Sequence, residues 1–187
     1  MGTSSDRGEA TRQRILAATA ELVAEEGWSG FSTRDIAARA GVTQGVVSYH
    51  WRSKDDLVRE AALAAATASL EPVAAALRDA PSAREAFERS LVVVEAIRHE
   101  AALTLLLFET MLHAGRDERL REALAVLIRD FRADVAAVLE REGAADPEPL
   151  AAALSAAFDG LLLHAVVDDR LDVAAVGAAL LDLLPPA

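Results

Sequence analysis

Cysteine is absent from the 187 residues, which excludes disulfides, thiolate metal sites and cysteine nucleophiles and permits a reducing compartment. Proline (6) and glycine (10) are scarce while alanine occurs 42 times, so the best helix former greatly outnumbers the two worst. No period-two strand pattern or internal repeat is visible, and an all-α fold follows. Aromatic residues make only 4% of a chain that is 52% hydrophobic, so Ala, Leu and Val must fill the core. The longest strictly apolar runs, such as 173–181, fall well short of the roughly 18 residues that span a bilayer. Residues 1–10, MGTSSDRGEA, lack the apolar stretch of a secretory signal and read as a disordered polar tail. A cytoplasmic protein of one or two domains, with no membrane partner, is expected.

The net charge of −11 argues at first against a nucleic-acid partner, since phosphate repels an acidic surface. The distribution reverses that argument. Residues 1–58 carry seven basic side chains (Arg7, Arg12, Arg14, Arg34, Arg39, Arg52 and Lys54) and eight acidic ones, whereas residues 59–187 carry 12 and 22. The acidity belongs to the second part, and the first is free to turn a basic face outward. A boundary near residue 55 is expected, bridged by one long helix because no Gly/Ser/Pro linker marks it.

About nine helices are predicted. From Thr11 to Glu26, Ile15, Leu16, Ala18, Leu22 and Val23 form one apolar stripe, and Gly27 ends the helix. Ser32 with Asp35 makes a capping box for a short helix stopped by Gly41. Thr43 caps the next, which runs no further than Arg52, and Ser53 with Asp56 opens another reaching Asp79, which Pro72 should kink or interrupt. Ser82 with Glu85 repeats the capping box. The segment 103–112 is apolar nearly all round and is expected to run through the middle of its domain. Residues 118–142 are amphipathic, Asp146-Pro147 opens a helix reaching Val167, and Asp172 caps a last one ending at Leu184.

A helix ending at Gly41 followed about three residues later by another has the spacing of a helix-turn-helix. The second helix is too short and too polar on one side for a core element. Val42, Val46 and Val47 hold it down, while Gln44, Gly45, Ser48 and Tyr49 face outward, where Gln, Ser and Tyr can reach base edges and Gly45 allows close backbone approach. Residues 11–57, with Gly27, Phe31, Thr33, Ile36, Ala37, Ala40, Gly41, Val42, Lys54 and Leu57 in place, resemble the TetR family of bacterial transcriptional regulators. The resemblance implies phosphate contacts by Thr33, Thr43, His50 and Lys54, with Arg34 beside them, and base reading by Gln44, Gly45, Ser48 and Tyr49. His50 and Trp51 stand where the family usually has Tyr-Phe, and Ser48 where it often has an aromatic. It divides the chain into a DNA-binding domain, 11–54, and an effector-binding and dimerisation domain, 55–187.

The segment 150–184 looks like the last two helices of the BetI-like subgroup, which pair with their copies in a dimer. Its stripe of Ala151, Ala152, Leu154, Ala157, Phe158, Leu161, Leu162, Ala165 and Val166 is too broad for one neighbour, and a symmetric four-helix contact would cover it. The dimer interface is assigned to Ala157, Leu161, Leu162, Ala165 and Val166.

Other constellations carry less. Trp28, Phe31 and Trp51 sit at helix ends beside apolar partners, as core fillers do. Arg12, Arg14, Arg34, Arg39 and Arg52 are either phosphate contacts or ordinary surface charges. His50, His99, His113 and His164 lack the spacing that sets two metal ligands on one face, so no metal or cofactor is expected. Glu109, inside LTLLLFETML, is either paired with Arg98 or Arg129 or the polar anchor of an effector pocket lined by Leu105, Phe108, Met111, Leu112, Phe131 and Phe158. No nucleophile–base set, phosphate loop or ligand cluster supports catalysis. The expected protein is a homodimeric repressor that binds a pseudo-palindromic double-stranded operator and is released by a small-molecule effector. An activator, or an adaptor of the same fold that binds protein, is the alternative.

Overall fold

The computed structural model describes residues 4–98 and 100–182, and among them it contains nine α-helices and no strand. They are α1 (Ser4–Glu26), α2 (Thr33–Arg39), α3 (Gln44–His50), α4 (Lys54–Asp79), α5 (Ala83–Arg98), α6 (Ala101–Ala114), α7 (Glu118–Arg141), α8 (Pro147–Val167) and α9 (Val173–Asp182). The all-α expectation holds. His99, the side chain of Arg98 and the expected last turn at 183–184 lie outside the described residues.

Most boundaries have local causes. Gly27 ends α1 at φ 73°, with its N–H on the Val23 carbonyl at 2.9 Å. Ser32 caps α2 through a reciprocal box with Asp35, Ser53 Oγ accepts the Asp56 N–H at 3.1 Å, and Ser82 Oγ accepts the Glu85 N–H at 3.3 Å. Asp172 does the same for Ala175 at 2.9 Å. Thr43 and Asp146 hold N-cap positions without a side-chain capping bond.

Three expectations need correction. Residues 4–10 are helical rather than a disordered tail. Their polar side chains bond along the helix: Gln13 donates to Glu9 at 2.8 Å and Thr11 Oγ1 to the Arg7 carbonyl at 2.9 Å, so local pairs extend a helix that apolar patterning does not reveal. Pro72 does not interrupt α4, which runs unbroken to Asp79. Finally, α6 is not a buried central helix. Its buried positions are Thr104, Leu106, Thr110 and Ala114, whereas Leu105, Met111 and Leu112 are exposed. The two threonines bury because their hydroxyls bond backbone carbonyls, Thr110 to Leu106 at 2.7 Å and Thr104 to Ile97 at 3.4 Å, and the large side chains take the other faces.

The helices α4 and α8 are long and apolar enough, by length and composition, to cross a membrane. Core helices of folded domains pass the same test, and on α8 the positions Ala151, Leu154, Ser155 and Leu161 are buried against other helices.

The contacts group the chain into two units. One runs to Ala66 and includes Leu105–Arg121. In it α1 packs on α2 and α2 on α3, and Ile15, Val23, Ile36, Val47, Leu57 and Val58 are almost fully buried. At the base of this unit the Trp28 indole stacks on the His113 ring with centroids 4.0 Å apart, and Arg59 Nε donates to Asp117 at 2.7 Å.

The other unit comprises Thr67–Thr104 and the chain from Glu122 onward. Its larger apolar cluster joins Leu77, Phe87, Val138 and Leu154, and a smaller one joins Val94, Leu161 and Val173. The helices α5, α8 and α9 pack on one another. Gly177 marks the closest approach, since a Cβ there would stand 2.1 Å from Leu91 Cδ2.

Candidate nucleic-acid interface

The reading segment begins at the turn between α2 and α3. Ala40 caps α2, and Gly41 then takes φ 65°, a left-handed conformation that costs a side-chain-bearing residue strain. That turn brings the Val42 N–H to the Ala37 carbonyl at 2.9 Å and redirects the chain into α3. Val47 anchors α3 at 2% exposure while Tyr49 on the opposite face is 85% exposed. Thr43, Gln44, Gly45 and Ser48 share the exposed face, and Val42 and Val46 are half-buried beneath. The arrangement matches the sequence reading: α3 is held by its valines and presents its polar side.

Geometry at this face sorts the predicted contact residues. Gln44 Nε2 donates to Thr33 Oγ1 at 3.2 Å, which ties the first residue of α3 to the first of α2. Lys54 donates from Nζ to the Phe31 carbonyl and lies 4.2 Å from the Phe31 ring centroid, so its ammonium is fixed where α2 begins. His50 is half-buried and meets the Tyr49 ring edge-on at 5.2 Å. Arg34 is exposed, as is Arg52.

The remaining cations are committed elsewhere. Arg39 bonds Glu25 at 2.7 Å and Glu21 at 3.2 Å; the hydrogen bond from Arg39 holds the Glu25 carboxyl below its usual range. Arg12 pairs with Glu60, whose other oxygen accepts the Trp51 indole N–H at 2.8 Å. Hydrogen bonds from Ser32 keep Asp35 below the usual carboxylate range. Trp28, Phe31 and Trp51 are buried, as core fillers.

The residues predicted for the effector pocket fall in both units. On α6, Phe108 and Glu109 are half-buried, with Leu105, Met111 and Leu112 exposed. Glu109 has no ion pair with Arg129. In the other unit Phe131 and Phe158 are partly buried against the large apolar cluster. Of the residues assigned to a dimer interface, Leu161 is buried in the smaller cluster, Leu162 and Ala165 pack against it, and Ala157 is half-buried. Val166 is exposed, and Leu163 and Val167 extend its apolar face.

Several structural groups escape the sequence reading. Asp117 accepts the Leu120 N–H at 3.1 Å, capping α7 while it holds Arg59; the Asp-x-x-Leu spacing before an amphipathic run was the available signal. The Trp28–His113 stack has no such signal, because its partners lie 85 positions apart in sequence. On α8, burial pushes the Asp159 carboxyl up, with Arg132 pulling the other way.

This exposed α3 on a helix-turn-helix defines a DNA-binding transcriptional regulator, and comparison with known proteins agrees. Residues 15–61 match the model for bacterial regulatory proteins of the tetR family, and residues 81–186 match the tetracyclin repressor-like C-terminal domain. The chain belongs to the TetR family of transcriptional regulators, which are not enzymes. The HTH-type transcriptional regulator Rv2912c of Mycobacterium tuberculosis is 27% identical over 71% of this chain and 68% of its own. Among solved structures, a transcriptional regulator from Pseudomonas aeruginosa PAO1 superposes with a TM-score of 0.81 at 26% identity, covering 93% of this chain and 89% of that one. The multidrug binding protein EbrR, solved with malachite green, gives a TM-score of 0.70 at 28% identity over 94% and 98% of the two chains.

Proposed function

We propose that this regulator is a cytoplasmic repressor that grips a pseudo-palindromic operator as a homodimer and lets go when a small molecule binds. Residues 11–54 are the reading head, and 55–187 bind the effector and dimerise. Gln44, Gly45, Ser48 and Tyr49 address base edges in the major groove, while Thr33, Arg34, Thr43, His50 and Lys54 hold phosphates. The observation that carries this reading is the two-faced α3, with Val47 buried and Tyr49 almost wholly exposed. A neutral-to-acidic composition does not oppose it, because two of the acidic side chains in the head are absorbed by Arg39 and Arg34 and Arg52 stay available.

The dimer assignment is supported by the apolar face of Leu163, Val166 and Val167 on α8, with Val176 on α9, which a single chain leaves exposed. Effector release is supported by the multidrug binder EbrR among similar structures. It requires that the effector favour a state with the two heads wrongly spaced, and operator binding must then weaken effector binding by the same factor. Electrophoretic shift with promoter fragments flanking the protein's own coding region tests the proposal. A sequence-specific complex that dissociates steeply with salt is expected, and absence of any specific complex at moderate salt would refute it.

A further inference from the structure

Two opposite charges lie in the second unit without joining. Asp159 sits midway along α8, directly after Phe158, and Arg132 sits on α7, directly after Phe131. Among the described residues no donor reaches the Asp159 carboxylate and no ion pair closes between it and Arg132. The Arg132 Nε is buried with no acceptor. Opposite charges removed from water normally close into a hydrogen-bonded pair, since each alone loses its hydration and gains nothing in return. The other buried side-chain polar group of α8 is satisfied: Ser155 Oγ donates to the Ala151 carbonyl at 2.8 Å. Asp159 is the unsatisfied member of that helix, and the two phenylalanines beside the charges lie partly buried against one apolar cluster.

We infer that Asp159 is the charge-recognising group of the effector site, and that the effector is an organic cation whose positive nitrogen sits against the Asp159 carboxylate while its apolar body rests beside Phe158 and Phe131. The sign follows from which group lacks more. Asp159 has no donor at all, whereas only the Nε of Arg132 is both buried and unbonded. An anionic ligand reaching Arg132 would bring a second negative charge toward a carboxylate already short of donors, and an entering cation supplies the missing partner. The apolar flank would take the carbon framework, as sites for drug-sized ligands combine apolar walls with few polar groups. The inference rests on the effector-responsive reading and adds the chemical class.

The test is equilibrium dialysis of the full-length protein at pH 6.5 and physiological salt against two dyes of related framework, cationic malachite green and anionic bromophenol blue. Three proteins are compared: wild type, Asp159→Asn, and Asp130→Asn. The last removes an exposed carboxylate, so it controls for the attraction of any cation to an acidic protein. Malachite green is expected to bind wild type at least tenfold tighter than bromophenol blue. Asp159→Asn should lose at least tenfold in malachite green affinity, and Asp130→Asn should stay within twofold. Equal binding of the two dyes, no binding of either, or an Asp159→Asn variant that keeps the preference overturns the inference. If that variant does not fold, as read by circular dichroism, the contrast between the dyes on wild type decides alone. Gel shifts with the same preparations separate the two levels: an intact operator complex with no cation preference removes the effector class only, whereas loss of the complex removes the regulator reading beneath it.

Discussion

Gln44 donates one amide N–H to the Thr33 hydroxyl at 3.2 Å, so the side chain that opens α3 is oriented before any DNA arrives. Its second N–H and its carbonyl stay free, the pair that matches N7 and N6–H of adenine. Gln44→Ala should cost about 1–3 kcal/mol of operator affinity and flatten the preference at one base pair. Thr33→Val keeps the shape and removes the hydroxyl, and it should flatten the same base pair by a smaller amount. Binding measured across operator variants for both single mutants and the double checks this. Strictly additive effects would show that Thr33 does not act through Gln44.

The fold was readable wherever a local signal marks it. Ser32 with Asp35, Gly41, and the three valines under α3 each fix a boundary or a face through neighbours a few positions away, and the structure bears out each of them. The readings that failed depend on partners distant in sequence or on bonding that patterning ignores. The α6 segment is apolar all round, yet two threonines occupy its buried positions because their hydroxyls bond backbone carbonyls, which no hydrophobicity count can foresee. Lys54 was legible as a site residue, but its bond to the Phe31 carbonyl was not. Asp159 went unnoticed because a single carboxylate in a long apolar helix looks like a solvated position until its neighbours are known.

Lys54 ties α4 to the start of α2 through the Phe31 carbonyl. Lys54→Met keeps the aliphatic stem and should cost about 1–2 kcal/mol in urea unfolding, the range for a hydrogen bond from a charged donor. If the ammonium also meets phosphate in the complex, the slope of log Kobs against log salt should fall by about 0.9 for each DNA strand pair it contacts. A variant with unchanged salt slope would assign Lys54 to folding alone.

Asp117 joins two tasks, since it caps α7 through the Leu120 N–H and holds Arg59. Those bonds, with the Leu120 N–H the larger influence, keep its carboxyl below the usual range. A carboxyl lowered by folding stabilises above its unfolded pKa of about 3.9 and loses that contribution as pH falls through the lowered value. Asp117→Asn should therefore cost roughly 1 kcal/mol at pH 7, and the gap from wild type should shrink as pH drops below about 4. Chemical denaturation at both pH values measures it, and a gap that does not change with pH would contradict the assignment.

Asp159 predicts the opposite sign. Burial raises its carboxyl, so ionisation is disfavoured in the folded chain, and stability attached to the protonated form is present at low pH and lost as pH rises through the raised value. Asp159→Asn should thus melt higher than wild type at pH 7, by about 2–4 °C for each kcal/mol relieved in a chain of this size. The advantage should narrow toward pH 4. A lower melting temperature for the variant at pH 7 would mean that the carboxylate is bonded in solution.

The exposed α8 face makes a prediction about assembly. Leu163 is 45% and Val167 86% exposed, so neither contributes to the fold of one chain, and a charge at either site should leave that fold intact. Where two copies meet, the same charge is buried without a partner and repels its symmetry mate, which costs several kcal/mol. Leu163→Glu should therefore weaken self-association by a hundredfold or more and convert a dimer to a monomer in sedimentation velocity at micromolar concentration. Its circular dichroism spectrum should be unchanged. Operator affinity should fall in parallel, because one reading head retains only half of the contacts. A Leu163→Glu protein that sediments as the wild type does would move the dimer interface to another face, with the exposed Val92 of α5 and Val126 of α7 as the next positions to charge.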